Sequence, residues 1–186
     1  VYYRISNYSF KKIKAYYITK ELCLNNFIKI FKNHSINIIA DNVVDIKLKN
    51  IFEDLKSNFN SIEYTKFGNG DSFKYVLKKS IESNEENKII YFVEDDYVHR
   101  LNSDKILQSG INMGSDYVTL YDHPDKYLNA TDGGNPQIED HGEITRVVIT
   151  PSIHWKLTNS TTGTFGVRSK TIKQDRPIWE KYFSGS

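Results

Sequence analysis

Ile89-Ile90-Tyr91-Phe92-Val93 runs without a break into Glu94-Asp95-Asp96. Five consecutive apolar or aromatic residues, two of them isoleucine and one valine, have the character of a strand with no polar face. Such a strand needs cover on both sides, which points to a parallel sheet layered between helices. In open sheets of that kind ligands bind beyond the carboxyl ends of the strands, where the loops diverge and helix N-termini point. The three acids therefore fall on the ligand edge.

The flanking sequence fits. Val1 to Ile5 is β-rich, and Thr19 to Lys32 places Leu22, Cys23, Phe27, Ile30 and Phe31 at helical spacing. Ile36 to Ala40 reads as a strand closed by Asp41-Asn42, and Val44 to Phe59 as a helix with Leu48, Ile51, Phe52, Leu55 and Phe59 on one face. A strand at Ser61 to Thr65 leads into the turn Phe67-Gly68-Asn69-Gly70-Asp71-Ser72 and a helix from Phe73 to about Ser83. Beyond the acids the spacing predicts a helix at Ser103 to Asn112 and a strand at Tyr117 to Tyr121, then a Gly-, Asp- and Asn-rich loop to about Gly142. Strands at Ile144 to Thr150, His154 to Leu157 and Thr162 to Val167 and a helix from Thr171 to Phe183 complete the chain. The expected fold is α/β, with a mixed, mainly parallel sheet, helices on both faces and a smaller β-rich part.

At 186 residues the chain is read as one domain, 1–186. Within it, 1–100 would form a nucleotide-binding half and 101–186 an acceptor-binding half. The start at Val1, without a methionine, leaves open that the chain is a piece of something longer. Lys plus Arg number 25 against 23 Asp plus Glu, so no whole-molecule field argues for nucleic acid or an anionic membrane as partner. The single Cys23 cannot form an intrachain disulfide, and no apolar run approaches a membrane span. A reducing compartment, the cytoplasm, is the default expectation.

Three adjacent carboxylates at a crevice repel one another and lose hydration unless they are paired or metal-bound. Oxygen ligands suit Mg2+ or Mn2+, which are usually held by one or two protein carboxylates and completed by substrate phosphates. Other strand ends supply further ligand-type groups: Arg4 and Ser6 after the first, Asp41 and Asn42 after the second, Asn69 and Gly70 after the third. Singly these are ordinary turn residues. Together they describe a nucleotide crevice.

The ordered runs YYRIS, IADN, FGNGDSF, YFVEDDYVHR, YVTLYDHPDKY and HWKLTNSTTGTF resemble the nucleotide-sugar glycosyltransferases of the GT-A fold. The closest resemblance is to family-2-like enzymes and the compact domains found in large DNA viruses of algae and in some bacteria. The resemblance implies a metal-dependent, inverting transfer from a nucleoside-diphosphate sugar, a UDP-sugar being favoured, to a glycan acceptor, in a host cytoplasm if the source is viral. It implies that Asp96 binds Mn2+ or Mg2+, helped by Glu94 and Asp95 through ribose, water or the metal. Glu94 stands where the family's Asp-x-Asp signature has its first Asp. Asp41 is implied as the base or ribose contact and His154 as a further metal ligand, although His154 reads equally as a hydrogen-bonded structural histidine. Tyr121, Asp122, His123 and Trp155 are the expected sugar and acceptor contacts. The base that takes the acceptor proton would be Asp175 or Asp140, or lie beyond Ser186.

Two other readings compete. A sugar-phosphate nucleotidyltransferase would carry a glycine-rich loop after its first strand, and YYRISNYS has no glycine. A nucleotide or carbohydrate sensor would show the same crevice without turnover.

Overall fold

The computed structural model describes residues 1–7, 15–82, 85, 87–122, 126–134, 146–158 and 161–182. His123 and Asp140 lie outside them. Among the described residues eight strands and five α-helices follow one another as β1 (Tyr2–Ser6), α1 (Lys20–Phe31), β2 (Asn37–Asp41), α2 (Ile46–Leu55), β3 (Ser61–Thr65), α3 (Asn69–Ile81), β4 (Ile89–Glu94), α4 (Ser103–Asn112), β5 (Tyr117–Val118), β6 (Val147–Ile149), β7 (His154–Lys156), β8 (Phe165–Arg168) and α5 (Ser169–Tyr182).

Six strands form one sheet in the order β3-β2-β1-β4-β8-β5. β1 pairs in parallel with β2 and β4, and β2 with β3, while β8 runs antiparallel to both β4 and β5. Strand alternation sends odd and even residues to opposite layers. On one face Tyr3, Ile5, Ile38, Ala40, Tyr91 and Val93 meet Leu24, Phe27 and Phe31 of α1, Leu48 and Phe52 of α2, and Leu107 and Ile111 of α4. On the other, Ile39, Ile90, Phe92, Phe165 and Val167 meet Phe73, Val76 and Leu77 of α3 and Ile172 of α5, with Trp179 stacked on Phe165. The sheet is covered on both sides, as the apolar run of β4 requires.

The small part is the antiparallel hairpin of β6 and β7. It docks through Trp155: a side chain added at Gly110 of α4 would meet that indole and Val118 at 3.0 Å.

Of the boundaries that differ from the sequence reading, three have a visible local cause. α3 starts at Asn69 rather than Phe73, because Gly68 takes φ +112° and lets the chain turn directly into the helix. β5 ends at Val118, and Thr119 instead donates its hydroxyl to the Thr164 carbonyl. β8 starts at Phe165, and ahead of it side chains replace the backbone ladder: Thr164 Oγ1 accepts from the Glu94 N–H at the end of β4, and Thr162 Oγ1 from the Tyr97 hydroxyl. The second half is also less separate than expected, since β8 lies in the sheet beside β4.

Candidate functional site

Parallel pairing brings the carboxyl ends of β1 to β4 to one edge, with Ser6 level with Asp41, Asp41 with Thr65, and Arg4 with Glu94. Glu94 and Asp95 meet resident cations there. Glu94 accepts from Arg4 Nη2 at 2.9 Å. Asp95, 2% exposed, accepts from Lys20 Nζ at 2.6 Å and from the Ser6 backbone N–H at 2.9 Å. Lys20 opens α1 and also donates to the Ser6 carbonyl, so one ammonium ties helix, β1 and acidic loop together. Asp96 stands beside them, half-buried.

Arg4 is 7% exposed. Its Nη1 donates to the Asn69 carbonyl at 3.0 Å and Ser72 Oγ at 3.2 Å, and its guanidinium lies over the Phe73 ring. Burial pushes its pKa down from the ordinary arginine value, while Glu94 first and then Asp95 and Asp41 push it back up. The arginine thus joins the acidic edge to the first turn of α3, where Asn69 and Gly70 sit.

Asp41 serves the chain itself. Its Oδ1 accepts from Thr65 Oγ1 at 2.8 Å and the Phe67 N–H at 2.7 Å, and its Oδ2 from the Gly68 N–H at 2.8 Å and Asn42 Nδ2 at 3.0 Å. A carboxylate has about four acceptor positions, and these four bonds fill them. Where the resemblance implies a base or ribose contact, the geometry shows a clamp on the loop between β3 and α3. Asn42 takes φ 52°, the left-handed conformation that short polar side chains tolerate, and turns the chain away from β2.

A wall from late in the chain closes the other side of the acids. Thr164 Oγ1 accepts from the Glu94 N–H at 3.0 Å, and Tyr97 donates its hydroxyl to Thr162 Oγ1 at 3.1 Å. Between them Gly163 lies so close that a Cβ there would be 2.6 Å from the Glu94 carboxyl. Tyr121 packs edge-on to Tyr97 with centroids 5.4 Å apart, so it does reach the acidic loop. Burial above all, then Glu94, Asp96 and Tyr121, push the Tyr97 phenol up to about 12 against the opposing Thr162 bond, and it remains a donor.

The remaining expected contacts sit elsewhere. Asp175 accepts from the Tyr117 hydroxyl at 2.7 Å. Tyr117 is level with Val167, which is level with Ile90. That places Asp175 four residues back from Glu94 along the sheet, roughly 13 Å at strand rise, and away from the acids it was expected to serve. Trp155 is packed on α4 and donates to Thr150 Oγ1, so its indole holds the hairpin rather than offering an open sugar face. His154, on the same hairpin, is exposed. Asp122 is exposed and accepts from the Tyr127 hydroxyl.

Among the described residues no group of three or more His, Cys, Asp and Glu is disposed to hold a metal by itself. Across the sheet edge, at the ends of β2 and β3, a groove of about 370 Å3 is lined by Ala40, Asn42, Val43, Val44, Lys49, Tyr64, Thr65 and Lys66.

Sequence reasoning names neither Lys20 nor Tyr97 as a site residue, and takes Thr162, Gly163 and Thr164 only as part of a segment, His154 to Thr164, expected to face an acceptor. The string Thr161-Thr162-Gly163-Thr164 ahead of an apolar strand was the available signal for the wall. Lys20 carried none, since a lysine opening a helix is ordinary.

No helix among the described residues is long and apolar enough to cross a membrane. No family model and no curated protein sequence matches the chain. In fold it is similar to the crystal structure of S. aureus TarS 1–349, a family-2 glycosyltransferase of the GT-A fold, with a TM-score of 0.53 and 16% identity over 94% of this chain. The chain spans about half, 48%, of that TarS chain. At this identity the likeness speaks for the fold: the protein has the mixed α/β, Rossmann-like architecture of the GT-A group.

Proposed function

We propose that the chain is the donor-binding core of a cation-dependent glycosyltransferase, taking a nucleoside-diphosphate sugar and passing the sugar to a hydroxyl of a glycan. The observation that carries this reading is the acidic run at the carboxyl end of β4, where the half-buried Asp96 adjoins Glu94, held by Arg4, and Asp95, held by Lys20. The diphosphate would lie at Asp96, which would hold Mn2+ or Mg2+ jointly with it. When bound, the cation offsets charge developing on the departing diphosphate. The groove at β2 and β3 stands two to three strand spacings away, roughly 10–14 Å, within the reach of the nucleoside end of such a donor. Its Tyr64 ring and its lysines Lys49 and Lys66 suit a base and an anionic backbone, and a UDP-sugar is the favoured donor. Asp41 shapes this end by holding the loop that follows β3. Tyr97 and Tyr121 would line the sugar side, with Tyr97 donating from a phenol that stays protonated.

The position of Asp175 favours a second reading, a nucleotide-sugar sensor, because the expected base lies at the wrong end of the sheet. Release of sugar from the donor in the presence of Mn2+ separates enzyme from sensor.

The test of donor binding is a calorimetric titration of UDP with and without Mn2+ on the parent and on Asp96→Ala. The parent should bind at least tenfold tighter with the cation, and Asp96→Ala should lose that gain while keeping its unfolding transition. Equal affinity with and without Mn2+ in the parent would remove the assignment.

A further inference from the structure

We infer that Glu94, Arg4 and Gly163 form one interlocked clasp, in which Glu94 acts as a positioning residue for the donor edge rather than as a ligand of the donor or its cation. This rests on the donor-binding reading above. Three observations carry it. The Glu94 carboxylate accepts from Arg4 Nη2 at 2.9 Å, with Arg4 7% and Glu94 31% exposed. The same guanidinium donates to the Asn69 carbonyl and Ser72 Oγ at the start of α3, so Glu94 is fixed relative to the β3–α3 turn. Gly163 presses on the far side of the carboxyl, where a Cβ would stand 2.6 Å from both Cδ and Oε2 of Glu94 and 2.8 Å from Oε1.

A clash with the end of a glutamate is normally relieved by a change of rotamer. Here that movement would draw the carboxylate off a buried arginine, and a buried cation stripped of its anion is strongly unfavourable. The backbone behind the carboxyl is held too, by the bond from the Glu94 N–H to Thr164 Oγ1 at 3.0 Å. Glycine at 163 is thus required by the length of residue 94, and that length is required by the reach to Arg4. An aspartate at 94 would be one methylene shorter, leaving Gly163 room for a side chain and Arg4 without its partner. The clasp accounts for a glutamate at the head of the acidic run. It also links the late Thr162–Thr164 segment to acids that precede it in the chain by about 70 residues.

The experiment is a double-mutant cycle of Gly163→Ala and Glu94→Asp, read by thermal unfolding without ligand and by UDP affinity in the presence of Mn2+. G163A alone should lower the melting point and weaken UDP–Mn2+ binding at least tenfold. In the E94D background the same alanine should cost less than threefold in affinity and little in melting point, because the shorter carboxylate has withdrawn. Additive effects on melting point would overturn the clasp. Strong coupling in melting point with unaltered UDP–Mn2+ affinity in G163A would overturn the positioning role and leave a purely structural contact. Should the parent bind no UDP with Mn2+, the donor reading and the positioning role fall together, while the unliganded cycle still decides whether the three residues interlock. If G163A does not fold, the E94D and G163A/E94D pair decides alone: a double variant that also fails to fold overturns the clasp.

Discussion

His99 follows the acidic run by three residues and shows how a single side chain anchors it. Its ring is 7% exposed, lies edge-on to Phe31 and Tyr91, and shares a 2.8 Å hydrogen bond between Nε2 and the Tyr91 hydroxyl. Its backbone N–H and carbonyl are both bonded to the Asn26 side chain of α1. Burial pushes the imidazole down to about 4, so the native protein holds it neutral. An unfolded chain protonates it near 6.5. Below that value the unfolded state binds the extra proton and the native state does not, so stability falls as the pH drops from 6.5 and the loss is complete below about 4. The expected loss by pH 5 is about 2 kcal/mol, measured as the shift in urea midpoint between pH 7.5 and pH 5. His99→Gln should flatten that dependence, and an equal slope in the variant would mean that another group drives it. The residue scale is also where the sequence was least legible. Asp41 was visible as a polar strand end, but three of its four bonds depend on where β3 and its loop return, some 25 residues later. The partners of Glu94 and Asp95 lie 90 and 75 residues away in the chain, and no local pattern reports such pairings.

At the scale of elements the periodicities carried most of the fold. β3 and α4 have the bounds the sequence reading gave them, and other elements differ by a few residues, because strand and helix repeats follow directly from which faces are buried. What periodicity could not supply was the direction and neighbour of β8, a short strand that runs antiparallel to β4. Nor could it tell that Trp155 is a docking residue. The hairpin of β6 and β7 pairs only with itself, and an isolated two-stranded hairpin is marginal in water. Its outward residues Val147 and Ile149 are 59% and 69% exposed, so attachment falls largely to Trp155 against Gly110 and Val118. Trp155→Ala should therefore release the hairpin while leaving the six-stranded sheet folded. The expected result is at least tenfold faster amide exchange, about 1.4 kcal/mol of local protection, at Val148 and Trp155's own position, with unchanged exchange in β1, β2 and β4. Uniform acceleration across the sheet would show instead that the hairpin is part of the main cooperative unit.

The whole molecule is ordered by one topological fact. β8, from late in the chain, lies between β4 and β5, and β4 is therefore an interior strand only when the second half is present. Residues 1–100 contain the four parallel strands and the acidic run, which makes them look like a self-contained nucleotide-binding half. Alone, they would leave the β4 edge open along Ile89 to Phe92, which in the full chain pairs with Arg168 to Phe165. They would also uncover one face of the sheet, because Phe165, Val167, Ile172 and Trp179 complete the packing around Phe73 and Phe92. On the other face, Leu107 and Ile111 of α4 would be missing from beside Tyr91 and Val93. Each large apolar side chain uncovered costs about 1.5–3 kcal/mol, and a domain's whole margin is only about 5–15 kcal/mol. Losing several such side chains exceeds that margin. The fragment 1–100 should accordingly show no cooperative thermal transition and poor amide dispersion by NMR. Its exposed β4 edge, apolar on both faces, should make it associate. The intact chain should unfold in one transition, with fluorescence and far-UV circular dichroism coinciding. A fragment 1–100 that is monomeric and melts cooperatively would show that the parallel half is a domain in its own right, to which β8 and α5 are only an added cover.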